Sequence, residues 1–95
     1  MNLNDALFNW LQITIVSEAR SDDHAAKETM DFFEQILRED HLLTSFYIDK
    51  QDDNMYVIHY EWEGQNKVQK FDRESADRLL TDINSNPIYN NSDWQ

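Results

Sequence analysis

The chain lacks cysteine altogether, and it has only one glycine and one proline among its 95 residues. Without cysteine there can be no disulfides, thiolate metal ligands or cysteine nucleophiles, and the composition fits a reducing compartment. A single glycine cannot build a glycine-rich phosphate loop. The scarcity of glycine and proline also argues against long irregular loops. Regular helices and strands are therefore expected to make up most of the chain.

Basic residues are also few. Eight Lys and Arg stand against nineteen Asp and Glu, which gives a formal net charge of -11 spread along the whole chain. Such a surface repels nucleic acid phosphates and anionic lipid, and it attracts basic proteins and cations. We therefore expect no nucleic acid or membrane partner.

No apolar run approaches the roughly 20 residues of a membrane-spanning helix. The first residues lack the basic region and apolar stretch of a secretory signal. The sequence thus predicts a soluble, cytoplasmic protein. Nine asparagines suggest an A/T-rich genome such as that of a low-GC bacterium.

Hydrophobic residues form 40% of the chain and aromatic residues 13%, which is too apolar for a disordered acidic chain. A chain of this length supports one core. We expect a single globular domain over residues 1–86, followed by an irregular C-terminal tail over residues 87–95.

Two helices are predicted in the first half. Apolar residues at helical spacing, from Leu3 through Trp10, indicate a helix over residues 3–19, although the β-branched residues 13–16 leave a strand there as the main alternative. A second helix is expected over about residues 22–40. Its predicted inner stripe is Ala26, Met30, Phe33 and Leu37, with Phe32 and Ile36 at its shoulders.

The period changes to two after residue 42, which predicts three antiparallel strands. A three-residue loop at 52–54 with Asn54 left-handed would place Ile48 opposite Ile58. A two-residue loop at 64–65 would place Phe71 opposite Ile58. One face would then carry the aromatic side chains and pack on the helices, and the other would remain open.

A third helix is expected over about residues 73–84, capped by Asp72 and ended before Pro87. The predicted fold is therefore α+β, with element order α-α-β-β-β-α and a three-stranded antiparallel meander packed against helices.

The second helix supplies the first candidate interaction surface. Residues 18–40 contain eight acids and three bases, and the outer face includes Glu28, Asp31 and Glu34. The plainest interpretation is a solvated face that keeps the protein soluble. Alternatively the face docks a basic protein partner. A third possibility is that carboxylates imitate phosphates and block a nucleic-acid-binding protein, although Lys27 and Arg38 interrupt the array.

The open sheet face supplies the second candidate surface. Tyr47, His59, Glu61 and Lys70 are expected to lie on it and to contact a partner or a second copy. Trp94 in the tail is a further candidate, as an anchor for a partner pocket. The alternatives without an interaction role are that the sheet residues are ordinary cross-strand neighbours and that Trp94 belongs to a frayed chain end.

Catalytic and metal-binding patterns are missing. The loop after Asp49 resembles a calcium loop only in composition, since its sixth position is Asn54 and its twelfth is Tyr60. The three histidines have no recognised metal spacing, and no nucleophile motif is present. We therefore expect no cofactor, no metal and no enzyme activity.

The sequence thus favours a small, acidic, non-catalytic interaction or regulatory module, with a basic protein or a second copy as its partner. Two alternatives stay open: an acidic inhibitor that mimics nucleic acid, and a small enzyme with a carboxylate general base.

Overall fold

The computed structural model describes residues 1–86 and confirms the α+β fold. The elements, in chain order, are α1 (Leu3–Ala19), α2 (His24–Gln35), a π-helical turn (Ile36–Asp40), β1 (Leu43–Asp49), β2 (Met55–Trp62), β3 (Gln65–Asp72) and α3 (Arg73–Ser85). The predicted tail over residues 87–95, including Trp94, lies outside the described residues. No helix within residues 1–86 is long and apolar enough to cross a bilayer.

Helix α1 runs through its β-branched segment without interruption. The side chain of Asn2 caps it by accepting a hydrogen bond from the backbone N–H of Asp5 at 2.8 Å. Ile13, Ile15 and Val16 are all buried, so packing against several elements outweighs their weak helix preference. The strand alternative for this segment is therefore wrong.

Helix α2 is shorter than predicted. It begins at His24, because Asp23 rather than an earlier residue caps it through a 2.9 Å bond from the Ala26 N–H. After Gln35 the helix widens into the π turn, where the His41 N–H donates to the carbonyl of Ile36 at 3.2 Å. Leu42 follows with a φ of 60° and turns the chain into β1.

The pairing of β1 with β2 confirms the predicted register, with Ile48 opposite Ile58. The predicted left-handed Asn54 is wrong, since Leu42 and Glu63 are the only non-glycine residues with positive φ among residues 1–86. Instead, the Asp52 carboxylate accepts hydrogen bonds from the Asn54 N–H at 2.8 Å and the Met55 N–H at 3.2 Å. This side-chain turn shapes a longer loop without a left-handed residue.

The predicted pairing of β2 with β3 is wrong by two residues. Phe71 lies opposite Tyr56, whereas Ile58 faces Gln69. The turn occupies Glu63 and Gly64, with φ values of 51° and 75°, so Gly64 is its second residue and not its first. Because the slip is two residues, every side chain keeps its predicted face of the sheet.

One face of the sheet packs on the helices. Leu7, Leu11, Leu37 and Ile58 are essentially inaccessible to solvent and form the centre of the core. Trp10 packs edge-on against Phe46, with ring centroids 4.9 Å apart. Three helices cover one side of a three-stranded sheet, and no element within residues 1–86 covers the other side.

A polar cluster joins α3 to the β1–β2 loop. Asp72 caps α3 by accepting a 2.9 Å bond from the Ser75 N–H, as predicted. The next residue, Arg73, donates to the carbonyls of Lys50 and Asp52. Helix α3 therefore fixes the conformation of a distant loop.

Candidate interaction surfaces

The described residues form two candidate interaction surfaces. We call the first the acidic stripe; its members are Glu28, Asp31, Phe32, Gln35, Ile36, Glu39 and Asp40. We call the second the open sheet face; its members are Ser45, Tyr47, Asp49, Val57, His59, Glu61, Asn66, Val68 and Lys70.

The acidic stripe follows from helical spacing. Positions 28, 31, 32, 35, 36 and 39 advance by three or four residues and so lie along one side of α2 and the π turn. All members are exposed except Ile36, which is half-buried. The stripe carries four carboxylates and no cation, which makes it the locus of a strong negative potential.

Phe32 lies in the middle of this stripe and is 56% exposed. Its ring meets the ring of Phe33 edge-on, with a centroid distance of 5.4 Å. Phe33 is half-buried and packs against the core. One side of the Phe32 ring therefore contacts a residue that packs against the core, while the rest of the ring remains exposed to solvent.

Two basic residues lie close to the acidic stripe in sequence, Lys27 in α2 and Arg38 in the π turn. Arg38 pairs with Glu34 at 3.7 Å, and its guanidinium lies 5.2 Å from the centroid of the Phe46 ring. Both partners of Arg38 lie outside the acidic stripe. Lys27 is exposed and makes no ion pair with any of residues 1–86. Neither of the two cations that interrupt the sequence pattern therefore pairs with a carboxylate of the stripe.

Glu34 occupies a different position from the other predicted acids. One carboxylate oxygen accepts a 3.2 Å hydrogen bond from the Trp10 indole, and the side chain is 23% exposed. The sequence placed Glu34 on the outer face with Glu28 and Asp31. The structure places it at the margin of the core, whereas the other two are exposed.

A hollow of about 240 Å³ opens where α2 becomes the π turn. It is lined by Phe32, Gln35, Ile36, Glu39 and Asp40. Three of its five lining residues, Ile36, Glu39 and Asp40, belong to the π turn. An apolar floor with carboxylates at its rim suits an apolar side chain that is flanked by cations.

The open sheet face is a three-by-three array of outward side chains. Its rows, read across β1, β2 and β3, are Ser45–Glu61–Asn66, Tyr47–His59–Val68 and Asp49–Val57–Lys70. The Tyr47 and His59 rings stack with centroids 4.8 Å apart and an interplanar angle of 10°. His59 Nε2 lies 3.5 Å from a carboxylate oxygen of Asp49. Tyr47 and Val68 are more than half exposed.

The structure therefore brings together Tyr47 and His59, and it places Glu61 and Lys70 in different rows. The Glu61 carboxylate accepts a hydrogen bond from the hydroxyl of Thr44. Lys70 is exposed and makes no ion pair with any of residues 1–86. A shallow hollow of about 320 Å³ lies beside Tyr47 and His59 and extends over the rows that begin at Ser45 and at Tyr47.

Strand β3 forms one edge of the sheet, whose order is β1-β2-β3. Six of its eight residues are exposed, and no strand within residues 1–86 pairs with its outer side. The predicted meander implied that β3 would be an edge strand, but the sequence analysis considered only the open sheet face, and not this edge, as an interaction surface.

The sequence analysis also undervalued Phe32. It was placed at the shoulder of the inner stripe. Its spacing from Glu28, Asp31 and Gln35 was a usable signal, since that spacing puts it at the centre of the polar side.

No three His, Asp or Glu side chains within residues 1–86 converge as a metal-binding group would. No protein-family model, curated protein or solved structure matches this chain. The acidic stripe and the open sheet face are therefore the features that bear on function.

Proposed function

We infer that this protein is a non-catalytic cytoplasmic interaction module that binds a basic segment of a partner protein through the acidic stripe. One observation carries the proposal. Phe32 is 56% exposed at the centre of four carboxylates, and the nearby Arg38 is paired with Glu34 and with the ring of Phe46 and not with these carboxylates. The partner segment would insert an apolar side chain beside Phe32 and pair its Lys or Arg residues with the surrounding acids.

The expected contributions are of two kinds. Full burial of a phenylalanine side chain contributes about 1.5–3 kcal/mol, so covering the exposed half of Phe32 contributes on the order of 1–1.5 kcal/mol. Each exposed ion pair contributes a further ~0.2–1 kcal/mol. The net charge of -11 accelerates the encounter with a basic partner, in a salt-dependent way.

The exposed phenylalanine separates this proposal from nucleic acid mimicry. A mimic needs an ordered array of carboxylates, and an aromatic ring at its centre adds nothing to phosphate imitation. Removal of Phe32 would leave the binding of a mimic nearly unchanged. It would weaken a protein contact anchored by an apolar side chain.

A displayed library of random 12-residue peptides tests the proposal without a known partner. Selection on the wild-type protein should enrich peptides that combine several Lys or Arg residues with one or more large apolar residues. An enriched peptide should bind about tenfold more weakly to Phe32→Ser, which corresponds to a loss of about 1.4 kcal/mol.

Tyr47→Ser is the matched control, because Tyr47 is 59% exposed and lies on the open sheet face. It should leave peptide affinity unchanged. Asp31→Asn should weaken binding and reduce its salt dependence, whereas Asp53→Asn in the β1–β2 loop should do neither. The proposal fails if acidic or uncharged peptides are enriched, or if Tyr47→Ser weakens binding more than Phe32→Ser.

A further inference from the structure

We propose that β3 pairs antiparallel with β3 of a second copy about a twofold axis at Val68, giving a six-stranded sheet that spans two protomers. This surface is distinct from the acidic stripe and goes beyond the proposed function. The inference rests on the free edge of β3, on its local charge and on the register of its neighbours.

Strand β3 is suited to edge pairing. It contains no proline, glycine or bulge and presents unpaired backbone groups along its outer side within the described residues. The opposite edge is less suitable, because β1 carries a bulge between Leu43 and Ser45 and contacts the π turn. An extended, regular edge is a template for another strand.

The local charge favours a second copy at this edge. Residues 64–71 contain Lys67 and Lys70 and no acid, whereas the chain as a whole has a net charge of -11. Most other approaches would bring carboxylates of two copies together. Contact along β3 brings the least negative part of each copy to the interface.

The twofold position follows from side-chain pairing. An axis at Val68 sets Lys67 opposite Gln69 of the second copy, and Lys70 opposite Asn66 of the second copy. An axis at Lys67 or at Lys70 would set like charges directly opposite, which is unfavourable. An axis at Gln69 would set Asp72 of one copy opposite Asn66 of the other. Asn66 in turn lies opposite Glu61, so two carboxylates would share one row of the sheet, which is also unfavourable.

The Val68 axis also makes the open sheet face self-complementary. Glu61 lies opposite Asn66 within one protomer, so Lys70 of the second copy stands two strands from Glu61 in the same row. That separation is about 10 Å between Cα atoms, and the two long side chains can span it. Within one protomer, Glu61 and Lys70 are about 14 Å apart. Two such pairs form per dimer.

Cysteine cross-linking tests the register, because the natural chain has no cysteine to interfere. Val68→Cys places two thiols across the axis, whereas Asn66→Cys on the same exposed edge places them apart. Under mild oxidation, Val68→Cys should form a disulfide dimer at least tenfold faster than Asn66→Cys. Faster cross-linking of Gln69→Cys or Asn66→Cys than of Val68→Cys would overturn the proposed pairing.

A charge exchange tests the Glu61–Lys70 contact. In sedimentation equilibrium, Lys70→Glu should raise the dimer dissociation constant at least fivefold, and the double variant Glu61→Lys/Lys70→Glu should restore it to within about twofold. Lys27→Glu makes the same charge change on α2 and should leave the dissociation constant unchanged. A wild-type protein that stays monomeric up to millimolar concentration would refute the proposal.

Two further measurements complete the test. Phe32→Ser should leave the cross-linking rate of Val68→Cys unaltered, so failure of the dimer and failure of peptide binding are distinguishable. In dilute monomer, the β3 amides that point away from β2 should exchange rapidly with solvent hydrogen. Slow exchange of these outward amides, lost on truncation after residue 86, would identify the chain's own C-terminal segment as the occupant of this edge and overturn the proposal.

Discussion

Removal of the Tyr56 hydroxyl should destabilise the protein and change its response to alkaline pH. Tyr56 is 6% exposed, and its hydroxyl donates a 2.6 Å hydrogen bond to a carboxylate oxygen of Asp77 on α3. The guanidinium of Arg73 lies 4.4 Å from the centroid of the same ring. Tyr56→Phe keeps the ring over which the Arg73 guanidinium lies, so the change is confined to the hydroxyl and the polar contacts that it makes.

The expected magnitude follows from the charge of the acceptor. A hydrogen bond to a charged group contributes about 1.5–3 kcal/mol. Asp77 is half-buried and keeps some contact with water, so the lower end of that range applies. We expect Tyr56→Phe to lower the free energy of unfolding by about 1.5 kcal/mol, which corresponds to a Tm lower by roughly 6–12 °C for a domain of this size.

The pH dependence has a definite sign. Burial, followed by the hydrogen bond and the charge of Asp77, raises the pKa of Tyr56 above its ordinary value of 10.0. The folded state therefore holds this proton more tightly than the unfolded state. The resulting stabilisation is fully present below pH 10 and is lost as the pH rises through the folded pKa. The stability difference between wild type and Tyr56→Phe should narrow above pH 10.

Urea unfolding at pH 7 and at several values between pH 9 and 11 measures both effects. Asp77→Asn is the matched control, since its amide oxygen still accepts the bond without a charge and should cost about half as much. Equal stability of wild type and Tyr56→Phe at pH 7 would refute the reasoning, as would a difference that stays constant up to pH 11.

Substitutions at three further positions test local features by urea unfolding. Thr14 has a buried hydroxyl with no hydrogen-bond partner within residues 1–86, so Thr14→Val should stabilise by about 1 kcal/mol, whereas Thr14→Ala should not. Leu42 has a φ of 60° and is 64% exposed, so Leu42→Gly should stabilise by about 0.5 kcal/mol while Leu42→Ala gives no gain. Gly64→Ala should cost about 1 kcal/mol through its φ of 75° alone, because no heavy atom lies within 4 Å of the added methyl group; a neutral result would contradict this.

The candidate surfaces were only partly accessible to sequence reasoning. Alternation within β1 and β2 correctly placed Tyr47 and His59 on one outward face, because neighbouring residues of a strand point to opposite sides. Helical spacing correctly predicted that Glu28 and Asp31 are exposed to solvent. The inward turn of Glu34 depends on the indole of Trp10, which is 24 residues away in sequence. No pattern within α2 encodes that contact.

The turn after β2 shows why the second register was missed. Gly64 fits either position of a two-residue turn, and the two choices shift β3 by two residues. Both choices keep the same side chains facing the core, so the hydrophobic pattern cannot distinguish them. The structure has the turn at Glu63 and Gly64, with Trp62 opposite Gln65.

By itself, the sequence determined the type and order of the helices and strands, the Asp72 cap of α3 and the inward face of the sheet. These properties are local, since they depend on spacing within one helix or strand and on the residue that begins it. Tertiary structure alone decided the π turn, the loop held by Arg73 and the position of Glu34 against the indole of Trp10. Each of these depends on which distant element covers a residue, and that is fixed only when the helices and the sheet come together.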